Sequence, residues 1–489
     1  MSRERLGSRL GFILLSAGCA IGVGNVWRFP SMAGAHGGGI FVLFYLIFLV
    51  LLGLPVMTIE FSLGRASQKS PIYMCRELEK PGQKWHWHGK AALVANCLLM
   101  MFYTSVTGWF FYYFYKFISG DMTKLAAGVT EKFGEISQSA EATKALSEEV
   151  GGVFGGMVGS TLITVAVVAL VVVLGFVILS FGLEKGVERV TKVMMSALVV
   201  LMVVLAVNSF TMSGAKEGLA FYLIPDFSKF SAQTIVQAMN QAFFTLSLGI
   251  GSMAIFGSYI DKKRSLMGES VNILVLDTFV AITAGLIIFP ACTTYGVSTE
   301  GGPNLLFNAM ATVFSDMPGG RWWGSVFFLF MIFAAMSTIV AVFQNILAMV
   351  RELTGWSIRK GCIICGIALL ILSAPCALGF NIWSGFVPFA EGSAVLDLED
   401  FLVSNIALPL GCLCMVLFCV KKNAWGFDNF MEEANAGTGL KVKRWMRPYM
   451  TYVLPLAIGV LFIIGIVNFP FAGSKEAPFT IWGWLTSLF

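Results

Sequence analysis

Apolar runs of about 20 residues recur along the whole chain, and they constrain its fold more than any other feature. A helix rises about 1.5 Å per residue, so a run of this length crosses the hydrocarbon core of a bilayer once. Charged residues make up only 12% of the 489 residues, about half the share in soluble domains. This composition excludes a soluble enzyme, a disordered protein and a nucleic-acid-binding protein.

The pattern predicts an all-α membrane protein with eleven transmembrane helices in a single transport domain, residues 1–489. The expected spans, numbered 1 to 11 in chain order, are 11–34, 39–64, 89–119, 158–181, 190–210, 233–259, 265–290, 321–350, 360–380, 399–420 and 448–470. With these spans, 24 of the 33 Lys and Arg residues fall on one side. Basic loops mark the cytoplasmic face, which predicts a cytoplasmic N-terminus and an extracellular C-terminus in the plasma (inner) membrane.

Spans 1 and 6 share an interruption that suggests internal symmetry. Each is an apolar helix with a Gly-x-Gly near its middle, Gly22–Gly24 in span 1 and Gly249–Gly251 in span 6. Two interrupted spans at matching positions indicate a transporter binding site between inverted repeats. We therefore expect five-span repeats at 11–210 and 233–420, plus an extra span at 448–470. Close helix packing through small residues is the competing explanation.

An unwound segment inside a bilayer frees backbone groups, which persist only around a polar cavity or ligand. Freed carbonyls attract a cation, and freed N–H groups at a half-helix N-terminus attract a carboxylate. An α-amino acid beside a sodium ion satisfies both ends. The lipid bilayer and a small substrate are thus the expected partners.

Charged and hydroxyl side chains within the spans add candidate sites, because buried charges in membranes are costly and usually functional. Asp277, in the middle of span 7, is the candidate cation ligand, with a structural hydrogen bond as the alternative. Glu60 is expected to brace backbone amides of an unwound segment, and Arg28 to act as a gate. Ser337 and Thr338 in span 8 offer two adjacent hydroxyls to a hard cation, or else ordinary interhelical hydrogen bonds.

At these positions the sequence resembles the neurotransmitter:sodium symporter family, in the eleven-span form of bacterial members similar to the leucine transporter prototype. The specific motifs are the stretch from Gly22 to Pro30, Gly37–Gly39, Gly53-Leu54-Pro55 with Glu60, 243–249, and the span 8 block 334–338. The resemblance covers the chain to about residue 470.

The resemblance implies two sodium sites and one substrate site. The first sodium site would use Ala20, Asn25, Thr245 and Asp277. The second would use Gly18, Ile21, Ala334, Ser337 and Thr338. The substrate would contact Cys19, Ala20, Gly22, Gly24, Leu99, Tyr103, Phe244, Thr245, Ser247, Ile250, Thr338 and Val342.

Comparison with the family pattern at five positions refines the function. Many relatives carry Asn at position 277, and chloride-dependent relatives carry Ser where this chain has Ala281; a fixed carboxylate at Asp277 implies no chloride requirement. Gly22, in place of the aspartate of monoamine transporters, leaves room for a substrate with its own carboxylate. Ile250 replaces a phenylalanine, which should admit larger side chains. Leu6 replaces a tryptophan, which should loosen the N-terminal latch.

The resulting hypothesis is chloride-independent, sodium-coupled symport of a hydrophobic L-amino acid by alternating access. The outer gate would pair Arg28 with Asp400, Asp397 being a nearby substitute, and the inner gate would tie Arg3 to Glu352 near Ser258, Tyr259 and Gln344. A sodium-independent or proton-coupled exchanger, a non-transporting sensor or channel and, least supported, a membrane enzyme remain alternatives. The sequence leaves open the exact substrate, the sodium stoichiometry, proton antiport and the oligomeric state.

Overall fold

The computed structural model describes residues 6–134, 136, 140–297, 305–473 and 478–486. In these residues the regular structure is helical, apart from a short antiparallel pairing of Ala472–Gly473 with Pro478–Phe479. The predicted all-α membrane protein is confirmed.

Nine continuous helices in the described part of the chain are long and apolar enough to cross a bilayer. They are Gly39–Ser67 (span 2), Trp87–Ile118 (span 3), Thr161–Ser180 (span 4), Leu183–Phe210 (span 5), Leu266–Tyr295 (span 7), Gly320–Thr354 (span 8), Ile358–Leu378 (span 9), Val395–Val420 (span 10) and Met446–Val467 (span 11). Shorter helices outside the spans are Pro71–Leu78, Asp121–Phe133, Ala140–Gly159, Ala215–Leu223, Leu305–Met310, Ala311–Asp316, Phe427–Ala434 and Ile481–Thr486.

Spans 1 and 6 are each built from two helical pieces. Arg9–Ala20 and Gly24–Ala35 form span 1 and meet at an angle of 53°. Ala232–Thr245 and Ser252–Gly257 form span 6, on either side of a turn at 246–251. If the bent pair of span 1 is counted as one helix, the described part of the chain has ten helices able to cross a membrane. The second piece of span 6 has only six residues, so the count of eleven stays a prediction.

Span 8 forms the centre of the bundle, whereas span 11 lies at its edge. Their most apolar stretches have similar mean hydropathies, 2.6 and 2.5, but are 83% and 22% buried. Hydropathy alone therefore does not distinguish a core helix from a lipid-facing one. Span 8 packs along spans 3 and 5 and against the first half of span 1. This packing places Ser337 and Thr338 beside the break in span 1.

Candidate functional site

The break in span 1 lies at Ile21 and Gly22, where the helix ends and restarts at an angle. The N–H of Gly22 donates to Oδ1 of Asn25 at 3.2 Å, and the N–H of Val23 donates to the Tyr103 hydroxyl at 2.8 Å. These freed amides thus have partners from within span 1 and from span 3. They stand where the resemblance places the substrate carboxylate.

The break in span 6 depends on residues with positive φ. The φ angles of Ser247, Gly249 and Gly251 are 50°, 99° and 79°. Residues other than glycine rarely adopt this region of backbone conformation. A Cβ on Gly249 would also lie 2.3 Å from the carbonyl oxygen of Leu408 in span 10. Gly249 therefore permits both the turn and its close approach to span 10. The Ser247 hydroxyl donates to the carbonyl of Cys19 at 3.3 Å, which joins the two breaks.

Asp277 is fully buried and receives three neutral donors from three different spans. Its Oδ1 accepts from Nδ2 of Asn25 at 2.8 Å, and its Oδ2 from the hydroxyls of Thr245 at 3.3 Å and Tyr45 at 3.4 Å. Ala20, the fourth residue predicted here, ends the first half of span 1 and lies on the cavity described below. The cluster carries one negative charge and oxygens suited to a hard cation.

The second predicted sodium site is a group of five oxygens between spans 1 and 8. The Thr338 hydroxyl lies 3.1 Å from the carbonyl oxygen of Gly18 and 3.2 Å from that of Ile21. The Ser337 hydroxyl lies 2.8 Å from the carbonyl oxygen of Ala334 and 3.4 Å from that of Ile21. All five residues are buried. These contacts are hydrogen bonds from the two hydroxyls to the carbonyls, so the interhelical hydrogen bonds named as the alternative are present. The same five oxygens carry no net charge and are of the type that binds sodium, which stays a prediction.

A cavity of about 20 Å³ lies between the two breaks. Its lining is Cys19, Ala20, Gly22, Gly24, Leu99, Tyr103, Phe244, Thr245, Ser247, Thr338 and Leu408. Ten of these are residues predicted to bind substrate. Such a volume holds about one water molecule, so in this conformation the cavity has no room for a molecule larger than water.

Three residues distinguish the observed lining from the predicted one. Leu408 of span 10 lines the cavity, although its sequence context, an ordinary apolar run, gave no signal for it. Ile250 and Val342 are buried but do not line the cavity. Ile250 instead presents its carbonyl to Nδ2 of Asn96 at 2.8 Å, because the turn in span 6 directs it toward span 3.

Gly22 lies in contact with side chains that leave no space for a substituent. A Cβ there would lie 2.2 Å from the Tyr103 hydroxyl and 2.5 Å from that of Thr338. Gly22 provides no carboxylate to the site, and none of the residues that line the cavity has a charged side chain.

Glu60 lies fully buried in span 2, facing the backbone amides of Gly249, Gly251, Met253 and Ala254. Neither of its oxygens reaches hydrogen-bond geometry with a described residue. The predicted neighbourhood is therefore present: these four amides interact with the carboxylate, at distances and angles looser than those of regular hydrogen bonds.

The outer gate is arranged differently from the predicted pair. Arg28 donates to the Ser404 hydroxyl at 3.4 Å, and Ser404 in turn donates to Asp400 at 2.6 Å. The Arg28 guanidinium lies 4.2 Å from the ring centre of Phe244. Ser404 thus separates the two charges. Arg28, Asp400 and Ser404 line a vestibule of about 990 Å³ beyond the cavity. Asp397 instead accepts from the N–H of Ala394 at 2.7 Å.

At the opposite end, Arg3 lies outside the described residues, so the Arg3–Glu352 tie stays a prediction. Glu352 accepts from the N–H of Ser70 at 3.1 Å and from its hydroxyl at 2.7 Å. Gln344 donates to the Tyr259 hydroxyl at 3.0 Å.

Two further ties hold the start of span 1, and the sequence did not suggest them. Glu188 of span 5 accepts from the N–H of Gly7 at 2.8 Å and from the hydroxyl of Ser8 at 2.9 Å. Arg9 forms an ion pair with the buried Glu269 of span 7 at 3.0 Å. The signal that could have found them is the presence of acidic residues at the same ends of spans 5 and 7.

Comparisons with known proteins identify the family of the chain. A model described as the sodium:neurotransmitter symporter family matches residues 3–488. The sodium-dependent transporter YhdH of Bacillus subtilis is 31% identical over 466 residues, which cover 94% of this chain and 98% of YhdH. The sodium- and chloride-dependent taurine transporter of Bos taurus is 26% identical over 538 residues, covering 99% of this chain and 82% of that protein.

A solved structure shows the same fold. The crystal structure of MhsT in complex with L-phenylalanine superposes with a TM-score of 0.81 at 33% identity, covering 95% of this chain and 100% of MhsT. The family match extends over nearly the whole chain, and the relatives it agrees with are sodium-dependent transporters. The chain is therefore a membrane transporter, not an enzyme, and it belongs to the sodium:neurotransmitter symporter family.

Proposed function

We propose that this chain carries out chloride-independent, sodium-coupled symport of a hydrophobic L-amino acid. The observation that carries the proposal is the closed cavity between the two broken spans. Its lining includes Gly22 and Gly24, whose backbone amides belong to the break in span 1, and it contains no charged side chain. A carboxylate suits the amides, and an apolar side chain suits the rest of the lining.

The lining argues for the substrate class. Cys19, Leu99, Phe244 and Leu408 offer apolar surface to a side chain. A basic or acidic substrate side chain would lose its hydration there without gaining a charged partner. One methylene changes affinity by only about 1–3 kcal/mol in such a pocket, so selectivity among hydrophobic amino acids is expected to be broad. MhsT was solved with L-phenylalanine, which belongs to this class.

We propose two sodium sites, one at Asp277 and one at the five oxygens around Thr338. At the first, the carboxylate supplies the negative charge that an anion would otherwise have to provide. Ala281, one turn after Asp277, is buried and has no donor for chloride. This separates the chain from relatives such as the taurine transporter, whose name includes chloride dependence.

Alternating access then follows from the two ends of the cavity. On the outer side, Phe244 with Arg28 above it covers the cavity, and Ser404 connects Arg28 to span 10. On the inner side, the ties of Glu188 and Arg9 hold the first half of span 1. When the outer contacts release while the inner ties stay in place, the site opens to the outside of the membrane. When the inner ties release while the outer contacts stay in place, the same site opens to the inside.

We place the protein in the plasma membrane with a cytoplasmic N-terminus and an extracellular C-terminus. The support is the excess of Lys and Arg in alternate loops.

The test is uptake of a panel of labelled amino acids into proteoliposomes under an inward sodium gradient, with potassium as the substitute cation and gluconate as the substitute anion. We expect accumulation of hydrophobic amino acids that requires sodium and is unchanged in gluconate. Collapse of uptake in gluconate would overturn chloride independence. Preference for Lys or Glu over Leu and Trp would overturn the substrate class, and equal uptake in potassium would overturn sodium coupling.

A further inference from the structure

A second cavity, separate from the substrate site, lies between the middle of span 3, the end of span 9 with the loop that follows it, and the start of span 10. It measures about 570 Å³, and Leu98, Trp383, Phe386 and Leu398 are among its lining residues. None of them lines the central cavity or the vestibule. Trp383 and Phe386 are 45% and 50% exposed, so the cavity opens toward the surface. Trp and Phe at the end of a span are typical of the membrane interface.

One charged side chain, Glu399, lines this cavity. It is only 3% exposed, and neither carboxylate oxygen has a hydrogen-bond partner among the described residues. The nearby polar group is the thiol of Cys376, which interacts with it and is a weak donor. A buried carboxylate whose neighbouring donor is only a weak one is costly, and in a membrane it indicates a functional site. The transport mechanism proposed above does not use it.

The lining defines the ligand that would complete the site. The described lining contains one acidic side chain and no basic one; its other members are apolar or aromatic. A monocation with an apolar body would pair with Glu399 and fill the remaining volume, which lies in the range of small-molecule pockets. A zwitterion such as an amino acid, or a phospholipid bearing a phosphate, would leave its anionic group without a partner.

We propose that this cavity is a binding site for apolar primary amines, with Glu399 as the counter-ion of the ammonium group. Glu399 directly precedes Asp400 in the first turns of span 10, Val395–Phe401. An occupant would therefore lie beside the outer gate, on the side of the helix away from the vestibule.

The test uses the full chain in nanodiscs and two photoreactive probes. One is an eight-carbon alkylamine with a diazirine in its tail, and the other is the matching alcohol. Labelled peptides are mapped by mass spectrometry, with saturating sodium and phenylalanine present to fill the substrate site. We expect the amine to label residues around Leu98 and Trp383 at least fivefold more than the alcohol does.

Variants assign the effect to the carboxylate. Glu399→Gln should lower amine labelling to the level of the alcohol, whereas Glu391→Gln, an exposed acidic residue nearby, should leave it unchanged. Leu98→Trp keeps Glu399 and fills the cavity, so it should abolish labelling even if Glu399→Gln does not fold. Equal labelling by amine and alcohol, or full labelling in the folded Glu399→Gln or Leu98→Trp variant, would overturn the proposal.

Discussion

At the scale of single residues, Asp277 shows how a membrane protein keeps a carboxylate in its core. Three neutral donors from spans 1, 2 and 6 contact it. The resemblance predicted that Asn25 and Thr245 lie beside Asp277, but it did not predict Tyr45. A tyrosine in the long apolar run of span 2 is explained by packing alone. The donors orient the carboxylate without neutralising it, which suits a site that must hold a cation.

Asp277→Asn removes this negative charge while preserving the shape of the side chain. We expect the apparent sodium affinity in uptake to fall by about tenfold or more, equivalent to about 1.4 kcal/mol. Sodium titrations of uptake measure the change. Asp428→Asn, which removes an exposed surface charge, is the matched control and should behave as the parent. An unchanged sodium affinity in Asp277→Asn would show that sodium binding does not depend on the negative charge of Asp277.

Thr338→Val tests the second sodium site in the same way. The valine keeps the volume but removes the hydroxyl that contacts carbonyls of span 1. Sodium-driven uptake should fall by about tenfold, because one oxygen of the five is lost. Thr338→Ser retains the oxygen and should recover most of the uptake. If the serine variant were as impaired as the valine variant, packing of the methyl group, and not the oxygen, would explain the loss.

At the scale of elements, the two breaks could be located from Gly-x-Gly in an apolar run, but their geometry could not. Span 1 breaks just before Gly24, whereas span 6 unwinds over 246–251, which includes Ser247 with a positive φ. Nothing in the spacing of the sequence predicts that a serine takes a positive φ at this position. Leu408 escaped prediction for a related reason: it belongs to span 10, and only packing brings it to the break.

Gly249→Ala should strain the break in span 6. The added Cβ would meet the carbonyl of Leu408 at 2.3 Å, on a backbone with φ of 99°. We expect destabilisation of about 2–4 kcal/mol, seen as a decrease of several degrees in the Tm of the purified protein. Gly128→Ala is the control, because its Cβ would enter open space in the helix Asp121–Phe133. An unchanged Tm in Gly249→Ala would mean that the turn is softer than its contacts indicate.

At the scale of the whole molecule, the sequence singled out the residues of the two expected gates, but it did not predict the contacts that these residues make. Arg28 and Asp400 do lie together, but with Ser404 between them. Glu352 contacts Ser70, a partner that no motif signalled. Gate contacts join residues hundreds of positions apart, and side-chain pairing at that distance depends on helix rotation and depth, which hydropathy does not fix.

Arg28→Ala should impair transport while leaving sodium binding nearly unchanged. The variant loses the contacts with Phe244 and Ser404 that cover the site, but it leaves every predicted sodium ligand intact. We expect uptake to fall by about tenfold or more, while equilibrium sodium binding changes by less than about threefold. Arg321→Ala, at an exposed arginine, should leave both unchanged. Equal loss of uptake and of sodium binding would argue that Arg28 supports the ion sites directly.

The small size of the central cavity has a consequence for cellular energy. A sodium gradient is a store of work, and any wet path through the protein would drain it as heat. With room for about one water molecule between the two broken spans, a continuous column of water cannot form through the centre of this conformation. Tight packing at the centre therefore limits the passive flow of sodium between one transport cycle and the next.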